Sequence, residues 1–587
     1  MSLASESILA VGFLALGVGV LSAVLDPATG YRVSLYRATP APFWLGVGVA
    51  AVVAVLTAFG DRDAEYQYLG ALLGGFAMVA VVGLPLLRGY HFYGSADPLT
   101  HLGWAKDLVA GDISPFAMIY PGVHTVTVLL AEVTGYSIAR SMMVVVFAFV
   151  VLFLLVVPLA VHRIVRSRHA VTVGAFAAIL LLPINHVSMH LRAHPFTQTV
   201  LFTALVLFLV VLYATRSTDD GGAFSASGVL LVVAALATIL YHPQQATNVI
   251  VVLVALSALQ FVVGRRRPAT DLATDRPLYV PTAIAVAAYA AWTLPAEWFH
   301  RAVARHGSAV VGYLTGSPPQ LGDRVASQSA SLLAIGASPV ELFLKLFLPG
   351  TVFVVLAGLF VARLATGSLD PRSDRERTVG TYLAVALVAM LPVFVVYVLA
   401  SVAEMYFRHH GFIMLLVTLL GAVAVAHALA TADGRSRRAF RVSLVAGMLV
   451  MLPLVGATVY QSPYIYKANQ HVTEMQVTGY EASLEYADDE VTLAGIRSSA
   501  TRFSDAVHGV RGSTTYDTEI EGRTLRRLPS AYEGGGYLVV TEADRKREVV
   551  AYRGLRYTRD QFASLDDQAS VNVVFANGEV TMYQVPG

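Results

Sequence analysis

Long apolar stretches recur along this chain, and each is close to the length that crosses a lipid bilayer. A spanning helix needs about 20 apolar residues, because hydrocarbon offers no partner to free backbone N–H and C=O groups. Only 14% of the 587 residues are charged, against about 25% in soluble proteins. The pattern predicts a polytopic α-helical membrane protein of about 13 spans, near residues 8–25, 42–60, 68–87, 139–161, 170–185, 196–213, 224–241, 247–263, 278–295, 340–363, 379–402, 411–430 and 440–459.

Basic loops between these stretches set the expected orientation. Four Arg-rich segments all fall on the same side of the predicted membrane, at 162–168, 265–267, 363–377 and 435–441. Short loops rich in Lys and Arg stay in the cytoplasm. The N-terminus is then cytoplasmic, and residues 1–460 form a multi-span membrane domain. Its outward loops are expected at 88–138, 185–195, 241–246, 296–339 and 403–410.

From residue 461 the pattern changes to that of a soluble α+β domain, expected on the outer side. Residues 537–541 read as a strand, and Asn577-Gly578 between two β-rich runs predicts a hairpin with a type I′ turn. Residues 461–587 carry 13 basic and 18 acidic side chains, whereas the rest of the chain has a net charge of +7. This division fits an outer domain above basic cytoplasmic loops and gives no indication of nucleic-acid binding. The acidic outer domain and the lack of cysteine are compatible with an archaeal surface protein.

Histidine is unevenly distributed across the predicted membrane. Of 16 histidines, 13 fall in the outward loops or in the C-terminal domain. No ionisable side chain is expected at the middle of the bilayer, where transporters commonly carry one. The polar chemistry is therefore predicted to gather at the outer membrane face.

The first outer loop contains a short predicted helix that begins at Asp97-Pro98. Proline suits the first helical position, so Asp97 is the expected N-cap, and Gly111 is expected to end the helix. His101 follows Asp97 by one helical turn, which points both side chains the same way. Asp97 either only caps the helix or acts as a catalytic base with His101 beside it.

After this helix come Tyr120-Pro121-Gly122, His124 and a second apolar helix. A long first outer loop with an Asp at the start of a helix, a Tyr-Pro-Gly segment, many further spans and an outer C-terminal domain resembles the GT-C superfamily of membrane glycosyltransferases. These enzymes use dolichyl- or polyprenyl-phosphate sugars. The resemblance implies that Asp97 is the general base or positions the acceptor, which would be a glycan or a protein.

Two signatures are missing from this resemblance. The Trp-Trp-Asp type sequence of oligosaccharyltransferases is absent, which argues against that branch of the superfamily. The first outer loop also has no Asp-x-Asp or Asp-Asp pair that would favour a carboxylate-bound metal. No cofactor is indicated with certainty, and a requirement for a divalent metal stays open.

A second cluster lies at residues 185–195. His186, His190 and His194 are spaced by four, and on a helix three such imidazoles could bind zinc. The alternative is that they contact phosphate or sugar, since Pro195 is expected to begin the next span and to break the helical register. Arg192 is permanently charged and can hold a phosphate through two hydrogen bonds.

A third cluster lies at the outer end of a later span. Arg408 either extends to the interface or holds the lipid phosphate of the donor together with His409. Lys345 either assists them or pairs with Glu341 one turn earlier. The remaining predicted substrate-lining residues are Tyr120, His124, His190, His194, His242 and Glu404.

These features favour transfer of a sugar from a lipid-phosphate donor at the outer membrane face. A transporter or flippase of lipid-linked or polar solutes is the main alternative, but repeated halves and midplane charges are not found in the sequence. A surface polysaccharide polymerase or ligase is another alternative. Its usual mark is one very large late outer loop, and residues 296–339 are only a moderate match.

Overall fold

The computed structural model describes the chain except for residues 1, 61–62, 183–189, 216–224, 267–274, 317–320, 370, 401–404, 489–490, 517–519 and 533. Helices dominate the first part of the chain. In chain order they are α1 (Ser2–Val24), α2 (Leu35–Ala38), α3 (Ala41–Gly60), α4 (Ala64–Val82), α5 (Leu84–Leu87), α6 (Asp97–Ala110), α7 (Gly122–Thr134), α8 (Ile138–Val165), α9 (Arg168–Leu181), α10 (Pro195–Ala214), α11 (Ala226–Tyr241), α12 (Pro243–Arg266), α13 (Tyr279–Thr293), α14 (Glu297–Leu314), α15 (Leu321–Ala334), α16 (Pro339–Ala365), α17 (Asp374–Leu399), α18 (Tyr406–Thr431) and α19 (Gly434–Thr458).

Within the described residues, each predicted apolar stretch overlaps at least one of these helices, and the stretch at 68–87 covers both α4 and α5. Within the described residues, ten helices are long and apolar enough to cross a membrane. Three expected spans are shorter helices of 14 to 16 residues, namely α9, α11 and α13. The chain is thus a multi-pass membrane protein, with ten full-length candidate spans in the part that the structure describes.

Helix α18 is the span most enclosed by protein among these ten. Helices α8, α9, α16 and α17 all contact it, and its apolar side chains, such as Phe412 and Leu415, are fully buried. Its N-terminal end carries Arg408 and His409. An enclosed helix holds the side chains at its end in a fixed position, because few rotamers remain free in a packed environment.

The C-terminal part is a small α+β domain. Its four-stranded sheet has the order β3-β4-β6-β5, with β3 parallel to β4 and the other pairs antiparallel. The strands of this part are β2 (His471–Val472), β3 (Thr492–Gly495), β4 (Gly536–Thr541), β5 (Asn572–Ala576) and β6 (Val580–Val585). The helices are α20 (Glu474–Tyr486), α21 (Ser499–His508), α22 (Gly522–Leu525), α23 (Leu528–Ala531), α24 (Glu542–Lys546) and α25 (Arg559–Ala563).

The predicted hairpin is present, but its turn differs from the expectation. Strands β5 and β6 pair on either side of Asn577 and Gly578. The expected type I′ turn is wrong, because Gly578 has a φ of 93° while Asn577 is not among the positive-φ residues. The Asn577 side-chain oxygen instead accepts hydrogen bonds from the backbone of Glu579 and Val580, at 3.1 and 2.9 Å. These side-chain hydrogen bonds stabilise the observed turn in place of the expected type I′ turn.

The first loop and the C-terminal domain are joined by several contacts. Strand β1 (Phe92–Tyr93) pairs antiparallel with β2, and α6 packs against α21. The buried Asp107 carboxylate accepts hydrogen bonds from the backbone N–H groups of Val510 and Arg511, at 3.0 and 3.2 Å. At Gly103 a Cβ atom would overlap the backbone carbonyl of Asp505, so the glycine allows the close approach of α6 and α21.

Candidate functional site

A polar cavity of about 260 Å³ opens where α6, α10, α18 and the C-terminal domain meet. We call it the first cavity. Six residues that the sequence singled out line it, and they come from five separate parts of the chain. Its lining consists of Asp97, Thr100, His101, Trp104, Tyr120, His194, Pro195, Phe196, His242, Arg408 and Arg502.

Asp97 is the first residue of α6 rather than its N-cap. The cap position is held by Ala96, which has a φ of 64° and makes no side-chain capping bond. The predicted N-cap is therefore wrong by one residue, whereas Gly111 ends the helix as predicted, with a φ of 80°. A non-glycine residue in this backbone region is strained, and such strain occurs often at functional sites. The shift leaves the Asp97 carboxylate available to the cavity.

The partner of Asp97 comes from the C-terminal domain. Arg502, on α21, places its Nη2 at 2.8 Å from Asp97 Oδ1, and its Nη1 donates to the Thr100 hydroxyl at 2.6 Å. The Thr100 hydroxyl in turn donates to the Asp505 carboxylate. The sequence does not indicate Arg502, because one arginine among the 13 basic side chains of the domain stands in no recognisable motif.

Two buried histidines, His101 and His124, form a hydrogen-bonded pair at the first cavity, which we call the histidine relay. His124 Nδ1 lies 3.2 Å from the carbonyl oxygen of Tyr120, and His124 Nε2 lies 3.1 Å from His101 Nδ1. A carbonyl oxygen only accepts, so in a neutral pair His124 carries its proton on Nδ1. His101 then donates its own Nδ1–H to His124 Nε2. The remaining nitrogen of His101, Nε2, is left as a hydrogen-bond acceptor on a residue that lines the first cavity.

Burial keeps the histidines of this site neutral near pH 7. Burial lowers the pKa of His124 to about 4 and that of His194 to about 3. The pKa values of His101 and His242 are lowered well below 6.5, first by burial and then by neighbouring histidines and arginines. Neutral imidazoles act as hydrogen-bonding groups rather than as cations. The positive charge of the first cavity therefore comes from its arginines.

Arg408 makes no ion pair in the described part of the chain, although the charge of the Asp97 carboxylate, which lines the same cavity, acts on it. Its Nη1 donates to Gln244 Oε1 at 3.1 Å, and its guanidinium carbon lies 5.9 Å from the centre of the Phe196 ring. Both partners are neutral. An arginine held in this way can offer its remaining N–H groups to a phosphate through a pair of parallel hydrogen bonds.

A larger apolar cavity of about 650 Å³ adjoins the first one. Tyr120, His242 and Arg408 line both cavities. The remaining wall is mostly apolar or aromatic and comes from α12, α13, α14 and α17, with Val251, Tyr289, Trp298, Phe299, Val303, Val393 and Tyr397. A polar chamber thus continues into an apolar one, with an arginine at their junction.

Three of the predicted phosphate ligands do not line the first cavity. Arg192 lines a separate cavity against the C-terminal domain. Lys345 donates to the Tyr464 carbonyl at 2.8 Å and forms an ion pair with Glu341. This pairing is the second of the two roles predicted for Lys345. His409 lines the apolar cavity, and its Nδ1 lies 2.9 Å from Asn248 Oδ1.

Of the predicted substrate-lining residues, His124 lies fully buried behind His101. Glu404 and His186 lie outside the described residues.

The histidine cluster before α10 is not helical. His194 is extended, with φ −158° and ψ 93°, because a residue that precedes proline disfavours the helical conformation. Pro195 begins α10, as expected, and His190 and His194 therefore share no helical face. The rings of His190 and His194 still lie 5.2 Å apart. Within the described residues, no group of three His, Asp or Glu side chains is arranged to hold a metal ion.

Comparisons with known proteins found structural likenesses only. No protein-family model and no curated protein sequence matches the chain. ArnT from Cupriavidus metallidurans, solved with undecaprenyl phosphate, is 15% identical with a TM-score of 0.45, over 88% of this chain and 99% of its own. The archaeal oligosaccharyltransferase AglB from Archaeoglobus fulgidus, solved with an inhibitory peptide and a dolichol-phosphate, is 12% identical with a TM-score of 0.49, over 89% of this chain and 74% of its own. At these identities and TM-scores, neither likeness assigns a residue role to this chain.

Proposed function

We propose that this chain is a membrane glycosyltransferase that moves a sugar from a dolichyl- or polyprenyl-phosphate donor to a glycan or protein acceptor. The reaction takes place at the outer membrane face, with the N-terminus in the cytoplasm and residues 461–587 outside. The observation that carries the proposal is the junction of two cavities at Arg408. A polar chamber with a carboxylate suits a sugar, and the adjoining apolar chamber suits the hydrocarbon of a lipid carrier.

The chemistry divides between Asp97 and Arg408. Asp97 accepts the proton of the acceptor hydroxyl as the hydroxyl oxygen forms a bond to the anomeric carbon. The bond between that carbon and the phosphate oxygen breaks, and the electron pair leaves with the lipid phosphate. Arg408 stabilises the charge that grows on this phosphate in a site with little water. His101 Nε2, fixed as an acceptor by the His124 relay, accepts a hydrogen bond from a sugar hydroxyl.

A transfer assay tests the proposal. Membranes with the native chain, Asp97→Asn or Arg408→Gln are given radiolabelled dolichyl- and polyprenyl-phosphate sugars and their endogenous acceptors. We expect the native chain to move label into glycan or protein. Asp97→Asn should lose about 10²–10⁴-fold of the rate, which is the usual contribution of a general base. Arg408→Gln should lose transfer from both the dolichyl- and the polyprenyl-phosphate donors, because the proposed contact of Arg408 is with the phosphate group that they share.

Matched variants separate chemistry from folding. Asp112→Asn and Arg140→Gln make the same substitutions at exposed positions outside both cavities, so they should keep native transfer. Full transfer by Asp97→Asn would remove the base assignment. If the folded native chain binds lipid phosphate but consumes no donor, the flippase alternative replaces glycosyl transfer.

A further inference from the structure

A second polar cavity, of about 350 Å³, lies between the membrane part and the C-terminal domain. Asp97, His101 and Arg408 do not line it. Ser95 and Ala96 of the first loop form one wall, and the segment after α19, including Lys467 and Gln470, forms another. The residues that follow β3 and β4 complete it. Arg502 belongs to the linings of both polar cavities, so the second cavity meets the first at the ion pair with Asp97.

The place of this cavity in the domain is one where ligands bind. Strands β3 and β4 are parallel neighbours, and the residues directly after both strands line the cavity. Open sheets with parallel strands bind ligands in the crevice outside the carboxyl ends of those strands. The ten-residue helix α21 also begins here, at Ser499, and its cap residue Ser498 makes no side-chain capping bond. The free N–H groups of a helix start favour an anion.

The charge of the lining gives a second, independent indication. Five cationic side chains line the cavity, and Asp544 is the one carboxylate among the described lining residues. The cations are Arg192, Lys467, Arg497, Arg502 and Arg547. Glu548, just behind, binds Arg497 at 2.8 and 3.0 Å and Arg547 at 2.9 Å. Even with Glu548, Asp97 and Asp505 counted beside Asp544, the five positive charges outnumber the four negative ones.

Arg192 makes no ion pair within the described residues. Its Nη1 donates to the side chain of Gln470 and to the Ser95 carbonyl, which are both neutral. Its buried Nε has no hydrogen-bond partner in the described part of the chain. A buried guanidinium with neutral partners leaves free energy to be gained by an arriving anion. Lys467 is exposed and makes no ion pair within the described residues.

We propose that the second cavity binds an anionic group, a carboxylate or a phosphate, on the acceptor sugar. The acceptor is then an acidic saccharide whose charge lies against Arg192 and Lys467 while a hydroxyl reaches Asp97 through the Arg502 junction. The assignment of the ligand as the acceptor rests on the proposed glycosyl transfer. The binding of an anion rests on the second cavity alone.

The binding test uses the purified full chain in detergent without any donor. Titration calorimetry compares methyl glucuronide and glucose 6-phosphate with neutral methyl glucoside, so the two anionic probes distinguish a carboxylate from a phosphate. We expect at least one anionic probe to bind about tenfold or more tightly than the neutral sugar, as charged hydrogen bonds typically allow. Lys467→Gln and Arg192→Gln should remove about tenfold of that affinity. Arg523→Gln, exposed in the same domain and outside the cavity, should not change it.

Equal affinity for charged and neutral sugars, or unchanged affinity in both cavity variants, would overturn the inference. Lys467→Gln keeps this test sharp, since an exposed side chain without an ion pair can be removed without a loss of folding. The transfer assay separates the two proposals. If transfer occurs and neutral acceptors serve as well as acidic ones, the inference fails while the proposed function survives. Anion binding by a chain that consumes no donor would overturn the acceptor assignment.

Discussion

At the scale of single residues, the ion pair between Asp97 and Arg502 decides how the proposed base is held. Asp97 is about half exposed and Arg502 about one third exposed, so the pair itself adds little to stability. Its effect is geometric, because Arg502 also holds Thr100 on the same face of α6. The pair fixes the direction of the carboxylate, which a catalytic base requires.

Arg502→Gln is therefore expected to lower kcat for transfer by about tenfold or more, with a smaller change in the KM for the donor. The reason is that Asp97 loses the partner that orients it while the donor contacts at Arg408 remain. Steady-state rates with a defined donor measure this split. Arg511→Gln, an exposed arginine of the same domain, serves as the control and should behave as native. An unchanged kcat for Arg502→Gln would exclude the orienting role.

The histidine relay gives a second prediction at this scale. His124→Leu leaves the Nδ1–H of His101 buried without its partner, which costs about 1–3 kcal/mol of unfolding free energy. His101 is then free to exchange its tautomer, so transfer should fall and its dependence on pH should change shape. Thermal unfolding in detergent and a pH–rate profile measure both effects. His508→Leu, at an exposed position, should change neither; a native profile for His124→Leu would contradict the relay.

At the scale of elements, the packing of α6 on α21 brings the two halves of the first cavity together. Gly103 lies at their contact, where an added Cβ would overlap the carbonyl oxygen of Asp505. The two helices belong to opposite ends of the chain. Any change in their spacing therefore moves Arg502 relative to Asp97.

Gly103→Ala is expected to destabilise the chain by about 1–3 kcal/mol, the usual cost of overpacking, and to reduce transfer. In an open helical position the same substitution stabilises by about 0.5–1 kcal/mol, because alanine loses less backbone entropy than glycine. Gly307→Ala on α14, where a Cβ meets nothing within 4 Å, provides that control. The two melting temperatures in detergent should move in opposite directions. A rise in both would show that α6 and α21 are not tightly packed.

The elements also show how far sequence reasoning reaches. Apolar length predicts the membrane helices, and Gly111 predicts the end of α6, because both signals act within one segment. The pairing of β1 with β2 and the Arg502 contact join residues far apart in the chain, and no local pattern specifies such contacts. The break before α10 is also a local signal, since Pro195 begins that helix and removes the helical register that the spacing of four requires.

At the scale of the whole molecule, the C-terminal domain is part of the site, because its Arg502 lines the first cavity. Glu579 accepts a hydrogen bond from the backbone of Tyr31 at 2.6 Å and another from the Thr473 hydroxyl. The hydrogen bond from Val510 to Asp107 and the ion pair of Arg502 with Asp97 are two further links between the membrane part and the C-terminal domain. His101, His124 and His242 of the first cavity are buried in the folded chain, so their protonation is coupled to its stability.

The molecule as a whole should therefore lose stability as the pH falls from about 7 toward 5. An unfolded histidine takes up its proton near pH 6.5, whereas burial lowers the pKa of His124 to about 4 and that of His194 to about 3. Between these pKa values the unfolded chain binds more protons than the folded chain, so the free energy of unfolding decreases as the pH decreases. The slope is about 1.4 kcal/mol per pH unit for each such histidine, and His101 and His242 act in the same direction. Melting temperatures in detergent from pH 7.5 to 5.5 measure it, above the range where carboxylates titrate. A shallower slope in His194→Asn would support the assignment, and a flat profile in the native chain would contradict it.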